Sequence, residues 1–232
     1  MADDARFSQP LYSVAQAARL VGMPPSTLHS WARGYSKQFP GRATVTKGPV
    51  ITALPPDEDS RASIPFIGLV EAAVVQAFRQ TDLSLQRIRR ALAVLAGEGE
   101  LEHALASRQL YTDGAKILYD YARSEGDGQL RLLTVVETGQ RVFHEVILDY
   151  LSRISFGDEW ATELVLPITD RRILRVRPKV ATGDPLFING GAPLSAVLSR
   201  ARAGEPPRSI ARDFDLDPDD VTDALKALDL AA

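Results

Sequence analysis

The first recognisable pattern in the chain is a run of apolar residues spaced as on one face of a short helix. It consists of Val14, Ala17, Ala18 and Val21, which are separated by the intervals of three and four that a helix requires. Ser13 and Gln16 form a capping-box pattern, in which their side chains satisfy backbone amides of the first turn. A helix is therefore predicted to begin just after Ser13.

A second helix is predicted directly after the first. Gly22 permits the left-handed conformation that ends a helix, Met23–Pro25 makes the turn, and Ser26 is a candidate cap. The apolar positions of this second helix are Leu28, Trp31, Ala32 and Tyr35. Its polar residues therefore lie on the opposite side: Ser26, Thr27, His29, Ser30 and Arg33. Two short helices joined by a tight glycine turn are typical of a helix-turn-helix.

The residues that follow are rich in Gly, Pro, Thr and Val, and they predict a small two-stranded wing. The candidate strands are residues 44–46 and 50–52, on either side of Lys47-Gly48-Pro49. Amphipathic helices are then predicted at residues 66–79 and 84–96.

The middle of the chain predicts a small α+β domain. A hairpin is expected at residues 110–119, because Asp113-Gly114 suits a type I′ turn. Further strands are expected at residues 130–136, 162–168 and 172–177, with a helix at residues 140–154 between them.

The last fifty residues predict helices again, at residues 194–202 and 208–214 and a final one opened by Asp217 and Pro218. These resemble a second helix-turn-helix in outline. The predicted fold class is α+β, mainly helical. We divide it into a winged helix-turn-helix (residues 1–100), a small central α+β domain (101–175) and a C-terminal helix-turn-helix-like domain (176–232).

Charge indicates which end binds DNA. Residues 11–50 contain five basic side chains and no acidic one, whereas residues 205–232 contain eight acidic and three basic side chains. The final helix is expected to present Asp219, Asp220 and Asp223 outward, and carboxylates repel a phosphate backbone. This acidic end is either a solvated face or a surface for dimerisation or for a basic partner.

The N-terminal module is therefore the predicted DNA-binding unit. The candidate DNA contacts are Ser26, Thr27, His29, Ser30, Arg33, Lys37, Arg42 and Lys47. For His29, an ordinary polar surface position is the alternative to a contact with a base edge.

The sequence contains little that suggests catalysis. It has no cysteine, its three histidines are far apart, and it has no glycine loop followed by a helix for a nucleotide. We therefore expect no enzyme activity, no metal and no cofactor. The longest apolar stretch, residues 64–78, is interrupted by polar residues and too short to span a bilayer. With no signal peptide pattern, a cytoplasmic location with no membrane contact is expected.

Residues 171–179 contain five basic side chains in nine positions. This segment is either a strand with one solvated face or a binding edge for an acidic partner. Alternation would place Arg171, Arg175, Arg177 and Lys179 on one side, with Leu174 and Val176 on the other.

Two segments resemble known families. Residues 12–34 resemble the winged helix-turn-helix of the MerR family, and residues 82–88 resemble that family's helix after the wing. That family's effector-binding cysteines are absent, so metal sensing does not carry over. The C-terminal stretches 183–190, 193–198, 203–211 and 217–225 resemble a small domain common in bacterial antitoxins.

The combination resembles atypical VapB-type antitoxins. This resemblance implies an antitoxin that neutralises a PIN-domain (VapC-type) ribonuclease toxin by direct contact and represses its own operon by binding operator DNA. A homodimer is expected because one short recognition helix reads too few base pairs for useful specificity. Arg175 and Arg177 are the candidate toxin contacts, with a basic toxin surface on the acidic final helix as the alternative. A different function, a stand-alone MerR-like transcriptional regulator that responds to a small ligand, remains open at this point.

Overall fold

The computed structural model describes residues 4–38, 44–80, 103–108 and 149–228. The predicted helix at 84–96, hairpin at 110–119 and strand at 130–136 lie outside these residues, as does Arg42. Of the predicted helix at 140–154, only the end is described, and it is helical at residues 149–151.

The N-terminal unit begins with three short helices: α1 (Ala5–Ser8), α2 (Val14–Leu20) and α3 (Pro25–Arg33). The predicted capping box is present, since the Ser13 hydroxyl accepts from the Gln16 amide and the Gln16 side chain accepts from the Ser13 amide. Gly22 has the expected positive φ of 68°. The helix-turn-helix is thus formed as predicted.

Two expectations for α3 are wrong. Ser26 does not cap the helix; Pro24 occupies the cap position, and Pro25 begins the helix with its φ already restricted. The helix ends at Arg33 because Gly34 adopts a φ of 72°, so Tyr35 does not extend the apolar stripe. Its side chain is instead 41% exposed.

The wing is formed by β1 (Tyr35–Lys37) and β2 (Val45–Lys47), which pair antiparallel with Ser36 opposite Thr46. The predicted strand at residues 44–46 is confirmed within one residue. The predicted strand at 50–52 is wrong, because the amides of Val50 and Ile51 donate to the Trp31 carbonyl of α3 instead of to a strand.

Helix α4 (Phe66–Gln80) is the central helix of the described core, and nearly all of its residues are buried. Gly68 lets the chain at Thr52 pass directly over this helix, since a Cβ at position 68 would lie 2.2 Å from the Thr52 carbonyl oxygen. The segment after the wing therefore packs against α4. Helix α1 also packs against α4.

A four-stranded antiparallel sheet follows, with strand order β3 (Ile154–Phe156), β4 (Ala161–Val165), β5 (Leu174–Val176) and β6 (Leu186–Phe187). The strands expected at 162–168 and 172–177 are present, each shorter than predicted. Leu164, Leu174, Val176 and Phe187 face the core that also contains α4. The sheet includes residues on both sides of position 175, and the division into domains at that position stays a prediction.

The C-terminal helices are α5 (Leu194–Arg202), α6 (Pro207–Asp213) and α7 (Pro218–Ala227). Asp217 caps α7 as expected, because its side chain accepts from the Asp219 amide. The predicted fold class, α+β and mainly helical with an N-terminal helix-turn-helix, is confirmed. Among the described helices, none is both long enough and apolar enough to cross a membrane.

Candidate DNA-binding face and basic strand

Helix α3 separates its apolar and polar residues as the spacing predicts. Leu28, Trp31 and Ala32 are buried against the rest of the unit. On the other side Ser26, His29 and Arg33 are exposed, whereas Thr27 and Ser30 are half-buried. All five predicted α3 contacts are thus brought together on one helix.

Two of these side chains already have intramolecular partners. The Ser30 hydroxyl donates to the Ser26 carbonyl at 3.0 Å, which leaves its oxygen free to accept. Arg33 donates through Nη2 to the Leu54 carbonyl at 3.4 Å. This hydrogen bond is long, and the Arg33 side chain is exposed. Neither contact removes the side chain from the surface.

The wing places further polar groups next to α3. The Ser36 and Thr46 hydroxyls lie 3.0 Å apart across the strands, and Lys47 is half-buried opposite Tyr35. Lys37 lies at the end of β1. Arg19, in the last turn of α2, is also exposed. It is one of the five basic residues of segment 11–50 but is not among the predicted DNA contacts.

The segment after the wing ties α3 to the core through a buried polar cluster that the sequence analysis missed. The Thr52 amide donates to the carboxylate of Glu71, which is 3% exposed. The Thr52 hydroxyl lies 2.7 Å from Nδ1 of His103, and that nitrogen lies 3.2 Å from Glu71 Oε1. The His103 ring also contacts Phe7 and Trp160. The same segment is bonded to α3, because the amides of Val50 and Ile51 donate to the Trp31 carbonyl, and it thus links α3 to the core.

The basic strand has the predicted alternation at its centre. Leu174 and Val176 are buried, whereas Arg175 and Arg177 lie on the outer face of the sheet. Both arginines contact one carboxylate of β4: Arg175 Nη1 is 3.8 Å from Glu163 Oε2, and Arg177 Nε donates to the same oxygen. The structure brings the two predicted toxin contacts together and adds Glu163 to them.

Arg171 does not belong to this group, although the alternation placed it there. It precedes β5 and contacts Asp220 and Asp223 of α7. Asp220 is only 5% exposed, so its predicted outward position on α7 is wrong. Part of the acidic character of the last helix is thus neutralised within the chain.

Arginines also pair with Asp149, the first residue of the helical segment 149–151. Burial opposes ionisation of Asp149, but hydrogen bonds from Arg153 and Arg172 outweigh it and keep the pKa of Asp149 below its usual value. Within the described residues, no group of three His, Asp or Glu side chains is placed to hold a metal ion.

Comparison with known proteins agrees with this arrangement. Residues 10–92 match a family model described as "Putative DNA-binding HTH domain". The chain is 38% identical over 232 residues to "Putative antitoxin VapB45" of Mycobacterium tuberculosis, covering 97% of this chain and 96% of that protein. The chain belongs to the family of VapB-type antitoxins. It is an antitoxin with a DNA-binding helix-turn-helix at its N-terminus.

A solved structure extends this likeness to the fold. The X-ray crystal structure of Rv2018 from Mycobacterium tuberculosis matches with a TM-score of 0.71 and 34% identity, covering 95% of this chain and 99% of that one. The predicted identification as an atypical VapB-type antitoxin with a helix-turn-helix is therefore confirmed. The MerR-like character, the homodimer and the individual contact residues stay predictions.

Proposed function

We propose that this antitoxin neutralises a PIN-domain ribonuclease by direct contact and represses its own operon through α3 and the wing. It acts in the cytoplasm without enzymatic activity of its own. The observation that carries the proposal is the polar face of α3. The opposite face of this helix is buried, and the helix lies in a segment with five basic and no acidic residues.

For DNA, we propose that α3 enters the major groove, where side chains can read base edges. His29 and Arg33 donate hydrogen bonds to bases. The hydroxyls of Ser26, Thr27 and Ser30, on shorter side chains, contact DNA that lies closer to the helix. Lys37, Arg42 and Lys47 contact phosphates, which positions the helix without reading sequence. Arg33 exchanges its long bond to the Leu54 carbonyl for a charge-assisted contact with DNA.

For the toxin, the contact is the outer face of β5. A PIN-domain nuclease uses a cluster of carboxylates to hold divalent metal, so its active site attracts cations. Guanidinium groups bind carboxylates in a bidentate manner and stay charged at all relevant pH values. Arg175 lies in β5 and Arg177 directly follows this strand, whose opposite face is buried, and this fixes the spacing of the two arginines.

The experiment is co-expression with a PIN-domain (VapC-type) nuclease from the same host. The variant Arg175→Ala/Arg177→Ala is expected to fail to restore growth, while Arg202→Ala/Arg208→Ala, which removes two exposed arginines from the C-terminal helical region, restores it as the wild type does. Undiminished rescue by the first variant would remove β5 from the toxin contact. Complete absence of binding to that nuclease, with operator binding intact, would instead favour a stand-alone regulator.

A further inference from the structure

Two arginines and one glutamate form a small charged cluster on the outer face of the sheet: Glu163, Arg175 and Arg177, here called the Glu163 cluster. The register places Leu164 opposite Val176, so Glu163 and Arg177 are cross-strand neighbours and Arg175 lies diagonal to Glu163. One carboxylate oxygen serves both guanidinium groups.

The cluster has an excess of donors. Its formal charge is positive by one unit, and Nε of Arg175 is buried with no hydrogen-bond partner among the described residues. A desolvated, unpaired donor on a cation costs free energy that a second acceptor would recover. The cluster would therefore be stabilised by another anion.

We propose that the Glu163 carboxylate, which already contacts Arg175 and Arg177, competes with the toxin's carboxylates for these two arginines. Glu163 thereby limits the affinity of the antitoxin for its toxin. This inference rests on the proposed function, because it assumes that these arginines contact the toxin. A partner offering a single carboxylate gains little, since it only replaces Glu163. A partner with several clustered carboxylates pairs both guanidinium groups at once.

The surroundings favour a protein carboxylate over a nucleic-acid phosphate. Glu163 already demonstrates that a carboxylate fits between the two arginines. Val165 lies opposite Arg175 on the same face and is half-buried, and an apolar neighbour suits the centre of a protein interface. Glu163 itself would repel a continuous phosphate backbone.

The test measures binding of the full-length chain to the same PIN-domain nuclease in purified form, by titration calorimetry at low and at moderate salt. Glu163→Gln keeps the side-chain shape and removes the competing charge, so it is expected to bind about tenfold more tightly, with the largest gain at low salt. Asp170→Asn, which removes an exposed charge from the loop between β4 and β5, is the matched control and is expected to bind as the wild type does.

A double-mutant cycle assigns the effect to the cluster. In the background Arg175→Ala/Arg177→Ala, adding Glu163→Gln is expected to change the affinity by less than twofold. Glu163→Asp, whose shorter side chain reaches the arginines less well, provides a second variant with an intermediate gain. Thermal melting of each variant shows that the comparison is made between folded proteins.

The outcomes separate this inference from the proposed function. If folded Glu163→Gln and Glu163→Asp bind the nuclease no better than wild type, the competition by Glu163 is disproved. If Arg175→Ala/Arg177→Ala alone binds as well as wild type, the proposed toxin contact is disproved first. If Glu163→Gln instead gains affinity only for a random-sequence duplex, the cluster is a phosphate site and the inference is overturned.

Discussion

Gly34 is the residue that decides where helix α3 ends and where the wing begins. Its φ of 72° is strained for any residue with a side chain, and a Cβ there would lie 2.3 Å from the Lys47 carbonyl oxygen. Both constraints act on the same turn, because the backbone of β2 passes directly over it. The orientation of the wing relative to α3 therefore depends on the absence of a side chain at position 34.

We expect Gly34→Ala to destabilise the N-terminal unit by roughly 1–3 kcal/mol, the cost of a strained backbone conformation, and to weaken operator binding as the wing shifts. The measurements are urea unfolding and fluorescence anisotropy with an operator duplex. Gly48→Ala is the matched control in the same wing, because a Cβ at Gly48 meets no described atom within 4 Å. Equal effects of the two substitutions would show that the close approach to Lys47 is unimportant.

Arg33 and Trp31 belong to the same turn of α3 but face opposite sides, so they separate binding from folding. Arg33→Ala is expected to weaken operator binding by about 1–3 kcal/mol, as for a lost base or phosphate contact, with little change in stability. Trp31→Ala should cost roughly 3–5 kcal/mol of folding stability, as loss of a buried aromatic does. Normal operator binding by Arg33→Ala would contradict our choice of recognition face.

Local residue patterns were predictable, and distant pairings were not. The capping box of Ser13 and Gln16 depends on neighbours three residues apart, so the sequence predicted it correctly. The contacts of His103 with Thr52 and Glu71 join residues 51 and 32 positions apart, and no local spacing indicates such a pairing. Ser26 was assigned as a cap because it has the right hydroxyl, but the restricted φ of Pro25 starts the helix earlier.

At the scale of elements, an arginine fastens the C-terminal helices to one another. Arg200 of α5 donates through Nε to Glu205 Oε2 at 2.5 Å and through Nη2 to Asp213 Oδ2, at the end of α6, at 2.6 Å. These hydrogen bonds hold the pKa values of Glu205 and Asp213 below their ordinary values of 4.5 and 3.8. The guanidinium thus bridges the turn between α5 and α6.

The pH dependence of this contact has a definite sign. Since the pKa values of both acids are lower in the folded chain, their stabilisation is present above the ordinary values and is lost as pH falls through the lowered ones. Arg200→Ala is therefore expected to lower the urea midpoint at pH 7 and to flatten its decrease below about pH 4. The effect should be modest, because the groups are solvent-accessible. Arg202→Ala, two positions along the same helix, is the control; an unchanged acid limb in Arg200→Ala would contradict the assignment.

Some elements could be predicted from their own residues, whereas others could not, because they form only by pairing with another segment. Strand β2 and helix α7 carry their own signals, in turn residues and in the Asp217–Pro218 start. Strand β1 has no such signal, because it becomes a strand only when Gly34 ends α3 and β2 pairs with it. The same holds for β6, two residues long, which is defined by pairing with β5.

At the scale of the whole molecule, the N-terminal unit and the sheet share one described core. The Tyr12 hydroxyl, just before α2, donates to the Gly183 carbonyl at 2.6 Å, and its burial raises the pKa of Tyr12 above its usual value. Phe7 of α1 packs edge-on against Trp160 at the start of β4. The proposed DNA face and the proposed toxin face are therefore parts of one packed body, a relation that the sequence patterns of separate segments did not reveal.

In the described part of the chain, α3 is the one helix that we propose to read DNA. Helix α3 has nine residues, and a single short helix in the major groove reads too few base pairs for useful specificity. We expect a homodimer in solution that protects two inverted half-sites about one helical turn apart.

Light scattering measures the mass of the free protein, and footprinting measures the half-site spacing. Scrambling one half-site should reduce affinity at least tenfold, as loss of several base contacts does, while scrambling the spacer should change it little. A monomer that binds a single half-site with undiminished affinity would contradict the dimer, and specificity would then have to come from the wing.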